Sequence, residues 1–291
     1  MAAACTEGLD TGFVALGYAK VGFLGIVQGI TELLPISSTA HMRIVPALLG
    51  WQDPGSAFSA AMQVAALAAV ISYFWSDVRG LVFGSIDAVK RRDFMDWNLR
   101  FAVWIVLATI PIVVAGALLS PLLNACNSPL RTLTVIGFSC VVMAALLAYA
   151  EVYSKHKRTL DQANLKDALT VGVAQIGALI PGVSRSGSTL TAALFLGLKR
   201  DEAARFSFLL GLPAIAAAGL KEMWALHKAH LDAHGWSILG FGLVIASISA
   251  FGAIWGLLRI LERFSAWPFV VYRFLIGIFL LGAVWAGWLA N

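Results

Sequence analysis

The sequence predicts an all-α polytopic membrane protein: six transmembrane helices plus two re-entrant helix–loop–helix hairpins, arranged as an inverted-topology repeat. Three observations predict it. Hydrophobic residues make up 59% of the chain and charged residues 13%, with a mean hydropathy of +0.82; soluble domains carry about 25% charged residues. Apolar runs of about 20 residues recur, the length a helix needs to cross a bilayer at ~1.5 Å rise per residue. Two further apolar stretches are interrupted midway by short loops that resemble one another. The ~10-residue alternating segments of a β-barrel are absent.

The N-terminal "MAAACTEGLDTGFVALGYAK" lacks a basic n-region, and Glu7 and Asp10 precede any apolar run, so the chain reads as uncleaved. The first interrupted stretch runs from about Lys20 to Pro35, breaks at "PISST" and resumes to Gly50. Full spans follow at roughly 56–75, 99–119 and 132–150. The second interrupted stretch runs from about Leu165 to Ile180, breaks at "PGVSRSGS" and resumes to Gly197. Spans at roughly 203–222, 236–257 and 269–289 complete the set. Each half of an interrupted stretch has ~11–15 residues and reaches only partway through a bilayer. Proline ends the incoming half and serines cap the outgoing one. Non-helical backbone at that depth persists only inside protein or beside a wet cavity. The reading is therefore two re-entrant hairpins.

The hairpins look like copies. "GIVQ" at 25–28 matches "GVAQ" at 172–175, and "LPISST" at 34–39 matches "IPGVSRS" at 180–186 with a one-residue slip. Within a single domain, 1–291, one repeat covers about 20–150 and the other about 165–289. Three spans after each hairpin reverse the side of insertion, so the repeat is inverted and its site lies at the repeat interface. Basic residues set the orientation. Arg79, Lys90, Arg91 and Arg92 share one loop, and Lys155, Lys157, Arg158 and Lys166 another, with Lys199, Arg200, Arg259 and Arg263 on the same side. The positive-inside rule places these in the cytoplasm and turns the N-terminus, first hairpin and C-terminus outward. The net charge of +5 sits mainly in these loops and reports topology, not nucleic-acid binding. Cys5, Cys126 and Cys140 show neither a disulfide framework nor metal-ligand spacing.

Polar residues concentrate at the two breaks. Gln28 and Glu32 are i, i+4 and share a helix face one turn before Pro35. A buried carboxylate is costly unless paired or metal-bound; Glu32 could hold Mg²⁺ or Ca²⁺ through oxygen, or act as a general base. Gln28 fits a polar packing contact as readily as a site role. Ser37, Ser38 and Thr39 include a helix cap. Ser38 and His41 are i, i+3, so a hydroxyl and an imidazole can enter one cavity as an activated nucleophile or proton-transfer pair. In the second break Gly182 and Gly187 permit close backbone approach. Arg185 offers a donor fork suited to phosphate oxygens, with Ser184, Ser186, Ser188 and Thr189 alongside. Brought tip to tip, two helix N-termini and Arg185 would face one volume suited to a polyanion, with Glu32, Ser38 and His41 as the groups to cleave it.

With these residues identified, "QGITELLPISSTAH" and "PGVSRSGST" resemble the two signature motifs of the bacterial undecaprenyl-diphosphate phosphatases of the bacitracin-resistance type. "DEAARFSFLLGLPAI" at 201–215 and "FVVYRFLIGI" at 269–278 match as well, and the resemblance covers nearly the whole chain. It implies hydrolysis of undecaprenyl diphosphate to the monophosphate carrier, at a site on the periplasmic side of the inner membrane, with Mg²⁺ or Ca²⁺. That step would recycle the carrier for peptidoglycan and confer bacitracin resistance. By the same resemblance Glu32 is the acidic catalytic residue and a metal ligand, and Ser38 and His41 are the nucleophile or proton-transfer candidates. Arg185, Ser184, Ser186, Gly187 and Thr39 bind phosphate, with Gln28, Ser37 and Gln175 as possible additions. The first motif position is often Glu in that family and is Gln28 here, which removes a possible metal ligand. In "FSAAMQVAALAAV", Gln63 matches, but Ala65 stands where Gly is common.

Two alternatives belong to other classes. A transporter or flippase of polyprenyl phosphate could use the same midplane anion site, although transport needs no nucleophile. An intramembrane Ser–His protease lacks its Gly-x-Ser-Gly turn and leaves Arg185 without a role. The expected partners are the polyprenyl diphosphate and membrane lipid, with a homodimer through small residues such as Ala115, Gly116 and Gly282.

Overall fold

A computed structural model describes residues 11–123 and 129–289. Cys5, Cys126, Glu7 and Asp10 lie outside them. The chain is helical throughout, and no strand forms among the described residues. The first hairpin is α1 (Phe13–Leu33) and α2 (Ser38–Leu48). Short helices α3 (Ser56–Ala61), α4 (Gln63–Tyr73), α5 (Trp75–Arg79) and α6 (Ser85–Arg91) follow, the last two joined by a π-turn at Gly80–Gly84. Long helices α7 (Trp97–Leu123) and α8 (Leu133–Tyr153) close the first half. The second hairpin is α9 (Leu165–Ala174), extended by a 3₁₀ turn at Gln175–Leu179, and α10 (Arg185–Phe195). Then come α11 (Arg200–Lys228), α12 (Ala233–Arg263) and α13 (Trp267–Trp285).

Among the described residues, six helices are long and apolar enough to cross a membrane: Phe13–Leu33, Trp97–Leu119, Leu133–Tyr153, Arg200–Lys228, Ala233–Arg263 and Trp267–Trp285. Five correspond to expected spans. The expected span at 56–75 instead belongs to a bent pair, Ala57–Tyr73 and Trp75–Arg91, which turns through 85°. The elbow falls where charge begins, since Asp77 just beyond it is held by Arg205 of α11. A buried or lipid-facing carboxylate needs such a partner, and the chain turns where it finds one. Conversely, α1 is long enough to count as a span, although the sequence reads it as a half-span. Gly17 breaks its helix with φ +69° and ψ 175°. The continuous part from Tyr18 to Leu33 is about 24 Å long, short of a ~30 Å hydrocarbon core. With 11 residues each, α2 and α10 cannot cross.

The outward faces are apolar. On α7, Val106, Ile110 and Leu118 are exposed, as are Val244, Ile248 and Trp255 on α12. Contiguous exposed faces of this kind suit lipid and not water. The chain is thus a multi-pass membrane protein. The described residues form three buried apolar clusters: a large one where α4, α7, α10 and α11 meet, one between α1, α3 and α12, and one between α2, α8 and α13.

Helix packing repeats between the halves. α1 lies against α12 as α9 lies against α7, and α8 packs on α13. The matched glycines of "GIVQ" and "GVAQ" make these close approaches. A Cβ on Gly25 would lie 2.8 Å from the Gly242 carbonyl oxygen, and one on Gly172 2.2 Å from that of Ala108. Gly137 of α8 and Gly277 of α13 face each other reciprocally, each pressed on the other's carbonyl. Of the small residues considered for a dimer, Gly116 faces Leu179 of its own chain, while Gly282 has open space.

Candidate active site

The two breaks are built alike. In each, a residue before proline is extended, Leu34 (ψ 147°) before Pro35 and Ile180 (ψ 119°) before Pro181, as the proline ring requires. Each outgoing helix is then capped by a serine with positive φ. Ser37 (φ 73°) accepts from the Ala40 N–H, and Ser184 (φ 69°) from the Gly187 N–H. The same spacing separates Ser37 from Ser184, Gln28 from Gln175, and Gly25 from Gly172. Equivalent caps make equivalent first residues: Ser38 opens α2 and Arg185 opens α10.

Both first residues meet the same carboxylate. Ser38 Oγ donates to Glu32 Oε2 at 2.6 Å. Arg185 Nη2 lies 3.7 Å from Glu32 Oε1, an ion-pair distance too long for a hydrogen bond. Gln28 Nε2 also donates to Oε2, at 3.0 Å. The pair is well buried, with side-chain exposure of 10% for Arg185 and 7% for Glu32. Neither Nη of Arg185 has a hydrogen-bond acceptor among the described residues, and neither does Gln28 Oε1 have a donor. Gly211 of α11 makes room for the guanidinium, since a Cβ there would lie 2.0 Å from Nη1. A donor fork with unused N–H groups, beside a hydroxyl already bonded to a carboxylate, is equipped to take phosphate oxygens and to lose a proton from that hydroxyl.

The other expected residues take distinct places. Ser186 Oγ donates to the carbonyls of Leu34 (3.0 Å) and Glu32 (3.3 Å), tying the second hairpin to the end of α1. Ser184 and Ser37 are caps. Gly187 gives its N–H to Ser184 and its missing side chain to Arg273, whose Nη1 would be 2.6 Å from a Cβ there. Thr39 is exposed. Gln175 is fully buried, and both its amide atoms lack partners among the described residues. The expected Ser38–His41 pair does not form. His41 Nδ1 lies 2.7 Å from the Ser37 carbonyl, so this nitrogen carries the proton, and Nε2 then accepts from the Tyr272 hydroxyl at 2.6 Å. The two rings stack 5.6 Å apart and nearly parallel. Ser38 turns to Glu32 because the carboxylate one helix away offers a stronger acceptor than an imidazole already bonded twice.

Two residues of α13 were not among the expected site residues. Tyr272 holds His41. Arg273, 1% exposed, donates from Nη1 to the Pro35 carbonyl (3.0 Å) and from Nη2 to those of Gly182 (2.8 Å) and Val183 (2.9 Å). The signal was present: "FVVYRFLIGI" carries an arginine in the middle of an apolar span, where an ionisable group marks a site by default.

No group of three His, Cys, Asp or Glu side chains able to hold a metal occurs among the described residues. A hard cation can still be held by one carboxylate completed by substrate phosphates. Glu32 and the unpartnered, buried Gln28 Oε1 supply oxygens of that type.

Residues 21–279 match the family described as bacitracin resistance protein BacA. Among curated relatives, undecaprenyl-diphosphatase 2 of Mesorhizobium japonicum is 78% identical over 264 residues, covering 91% of this chain and 100% of that protein. The undecaprenyl-diphosphatase of Synechococcus elongatus is 49% identical over 92% of this chain and 93% of its own. That of Gloeobacter violaceus is 47% identical over 95% of each. A match across most of the chain, at this identity, makes the chain a member of the bacitracin resistance protein BacA family.

Proposed function

We propose that the chain hydrolyses undecaprenyl diphosphate to undecaprenyl phosphate and inorganic phosphate, which returns the lipid carrier to peptidoglycan synthesis and confers bacitracin resistance. One observation carries the reading: Ser38 of one hairpin and Arg185 of the other converge on the two oxygens of Glu32. The relatives' names agree with it. The proton of Ser38 passes to Glu32 as Oγ attacks the terminal phosphorus. The anhydride P–O bond breaks, and undecaprenyl phosphate leaves with the proton that Glu32 held. Water then gives a proton to the freed Glu32 carboxylate and attacks the phosphorus on Ser38; the Oγ–P bond breaks, phosphate leaves, and the proton returns from Glu32 to Ser38 Oγ. Arg185 and the N–H groups opening α2 and α10 stabilise charge on the phosphoryl oxygens. His41, held by Ser37 and Tyr272, borders this volume on α2 and does not serve as the base for Ser38.

A Mg²⁺ or Ca²⁺ ion belongs to this proposal, with Glu32 as its carboxylate ligand and the uncharged Gln28 Oε1 beside it; when bound, it would polarise phosphoryl oxygens as a Lewis acid. The proposed setting is the bacterial cytoplasmic membrane, with the basic loops inside and the site open to the periplasm. A homodimer through small residues such as Gly282, where a Cβ would meet nothing within 4 Å, belongs to it as well. No observation favours transport separately, because the Ser38–Glu32 hydrogen bond has no part in moving a lipid.

The test is phosphate release from undecaprenyl diphosphate by the purified protein in detergent. Glu32→Gln is expected to lower the rate by about 100- to 10,000-fold, the usual worth of a general base. Chelation is expected to abolish release, and Mg²⁺ or Ca²⁺ to restore it. Unchanged release by a Glu32→Gln, Arg185→Met double variant would remove the assignment.

A further inference from the structure

We infer that Arg273 is a positioning residue that sets the register of the two hairpins across the site. This rests on the proposed reaction, because it assumes that groups from both hairpins act on one substrate.

The argument starts from the broken backbone. Where α1 stops at Leu33 and the 3₁₀ turn stops at Leu179, carbonyls lose their helical partners. Inside an apolar bundle water cannot satisfy them all, and each one left bare is costly. Three such carbonyls converge on one guanidinium. Pro35 belongs to the first break, and Gly182 and Val183 to the second. Satisfying the backbone of the breaks and fixing their spacing are therefore one interaction.

Arginine alone suits this task. Its planar fork holds several acceptors at set angles, whereas a lysine ammonium is a point charge on a flexible stem. Arg273 forms no ion pair with any described carboxylate, so its charge is balanced by carbonyl dipoles alone. Both terminal nitrogens are engaged by backbone carbonyls, Nε has no acceptor among the described residues, and the side chain is 1% exposed, so the guanidinium is spent on the backbone of the breaks and enclosed away from substrate. Gly187 supplies its seat in the first turn of α10. The neighbouring Tyr272 holds His41 of α2, so consecutive residues of α13 grip both hairpins. The cleaving groups divide along the same line: Ser38 and Glu32 belong to the first hairpin, Arg185 to the second. A shift between hairpins would leave each group intact and separate them.

The experiment compares Arg273→Lys and Arg273→Met with the parent protein in a background where Cys5, Cys126 and Cys140 are replaced by serine. Spin labels at Leu49 and Phe195, exposed positions at or just past the far ends of α2 and α10, report the distance between hairpins. Thermal unfolding and separate kcat and KM values are measured alongside. The parent is expected to give one narrow distance. Arg273→Met is expected to broaden it and lower kcat by about 100-fold, the cost of misplacing reacting groups by ~1 Å, with little change in KM. Arg273→Lys is expected to fall between. Loss of kcat with an unchanged distance distribution would mean that Arg273 acts on the substrate directly and would overturn the inference. Unchanged kcat would overturn it too. So would failure of both variants to fold, since a register clasp leaves helix packing intact. An inactive parent would defeat the proposed reaction, while the distance measurement still decides whether Arg273 sets the register.

Discussion

Glu32 sits between a hydroxyl from its own hairpin and a guanidinium from the other, and this arrangement depends on small neighbours as much as on the charged groups. Gly211 leaves the space that Arg185 fills. Gly211→Ala is expected to fold normally, because alanine favours a helix interior and the obstructed atom is the end of a flexible side chain. Arg185 must then leave its position beside Glu32. Phosphate release should fall by about 10- to 100-fold at unchanged thermal stability. Normal turnover in that variant would show that Arg185 acts from some other pose. Ser38→Ala separates two routes. If Ser38 carries the phosphoryl group, labelled phosphate is trapped on the parent protein in rapidly quenched reactions and is absent from the variant. Full activity of Ser38→Ala would instead assign the attack to water.

At the scale of elements, the halves are joined by backbone-to-backbone contact. Gly29 of α1 would place a Cβ 2.3 Å from the Ala246 carbonyl oxygen of α12, and Gly172 of α9 one 2.2 Å from that of Ala108 of α7. Backbone cannot yield as a side chain does. Gly29→Ala and Gly172→Ala should therefore each destabilise the protein by about 1–3 kcal/mol, the usual cost of overpacking, measured by thermal unfolding in detergent. Gly282→Ala meets nothing within 4 Å and serves as the control. Equal stability of all three variants would contradict the packing described. The bend between Tyr73 and Trp75 falls at the end of the apolar stretch 56–75, whose extent hydrophobicity alone gives; the second arm, Trp75–Arg91, was not legible, because its turn through 85° depends on Arg205, far along the chain, meeting Asp77.

At the scale of the whole molecule, the inverted arrangement predicts where each hairpin returns. If the two are inserted from opposite faces, a cysteine at Gln52, after α2, is labelled by an impermeant reagent from outside intact cells. One at Lys199, after α10, is labelled only in inverted vesicles. Both positions are exposed. Labelling of both from one side would refute the inverted repeat and leave the helix packing untouched. The repeated contacts of α1 with α12 and α9 with α7 agree with such a repeat.

The sequence by itself determined the helical membrane class, the positions of both breaks and the polar residues gathered at them. Composition and apolar run length are local properties, and proline, serine and glycine break and cap helices through their own backbone geometry. Glu32, Ser38 and Arg185 were legible for the same reason: polar groups inside apolar sequence demand a use. Tertiary structure alone decided who meets whom. Ser38 turns to Glu32 and not His41, His41 turns to Tyr272, and Arg273 joins both loops. These pairings join residues on different helices, and the acceptors of Arg273 are backbone carbonyls, which every residue carries and no sequence pattern singles out.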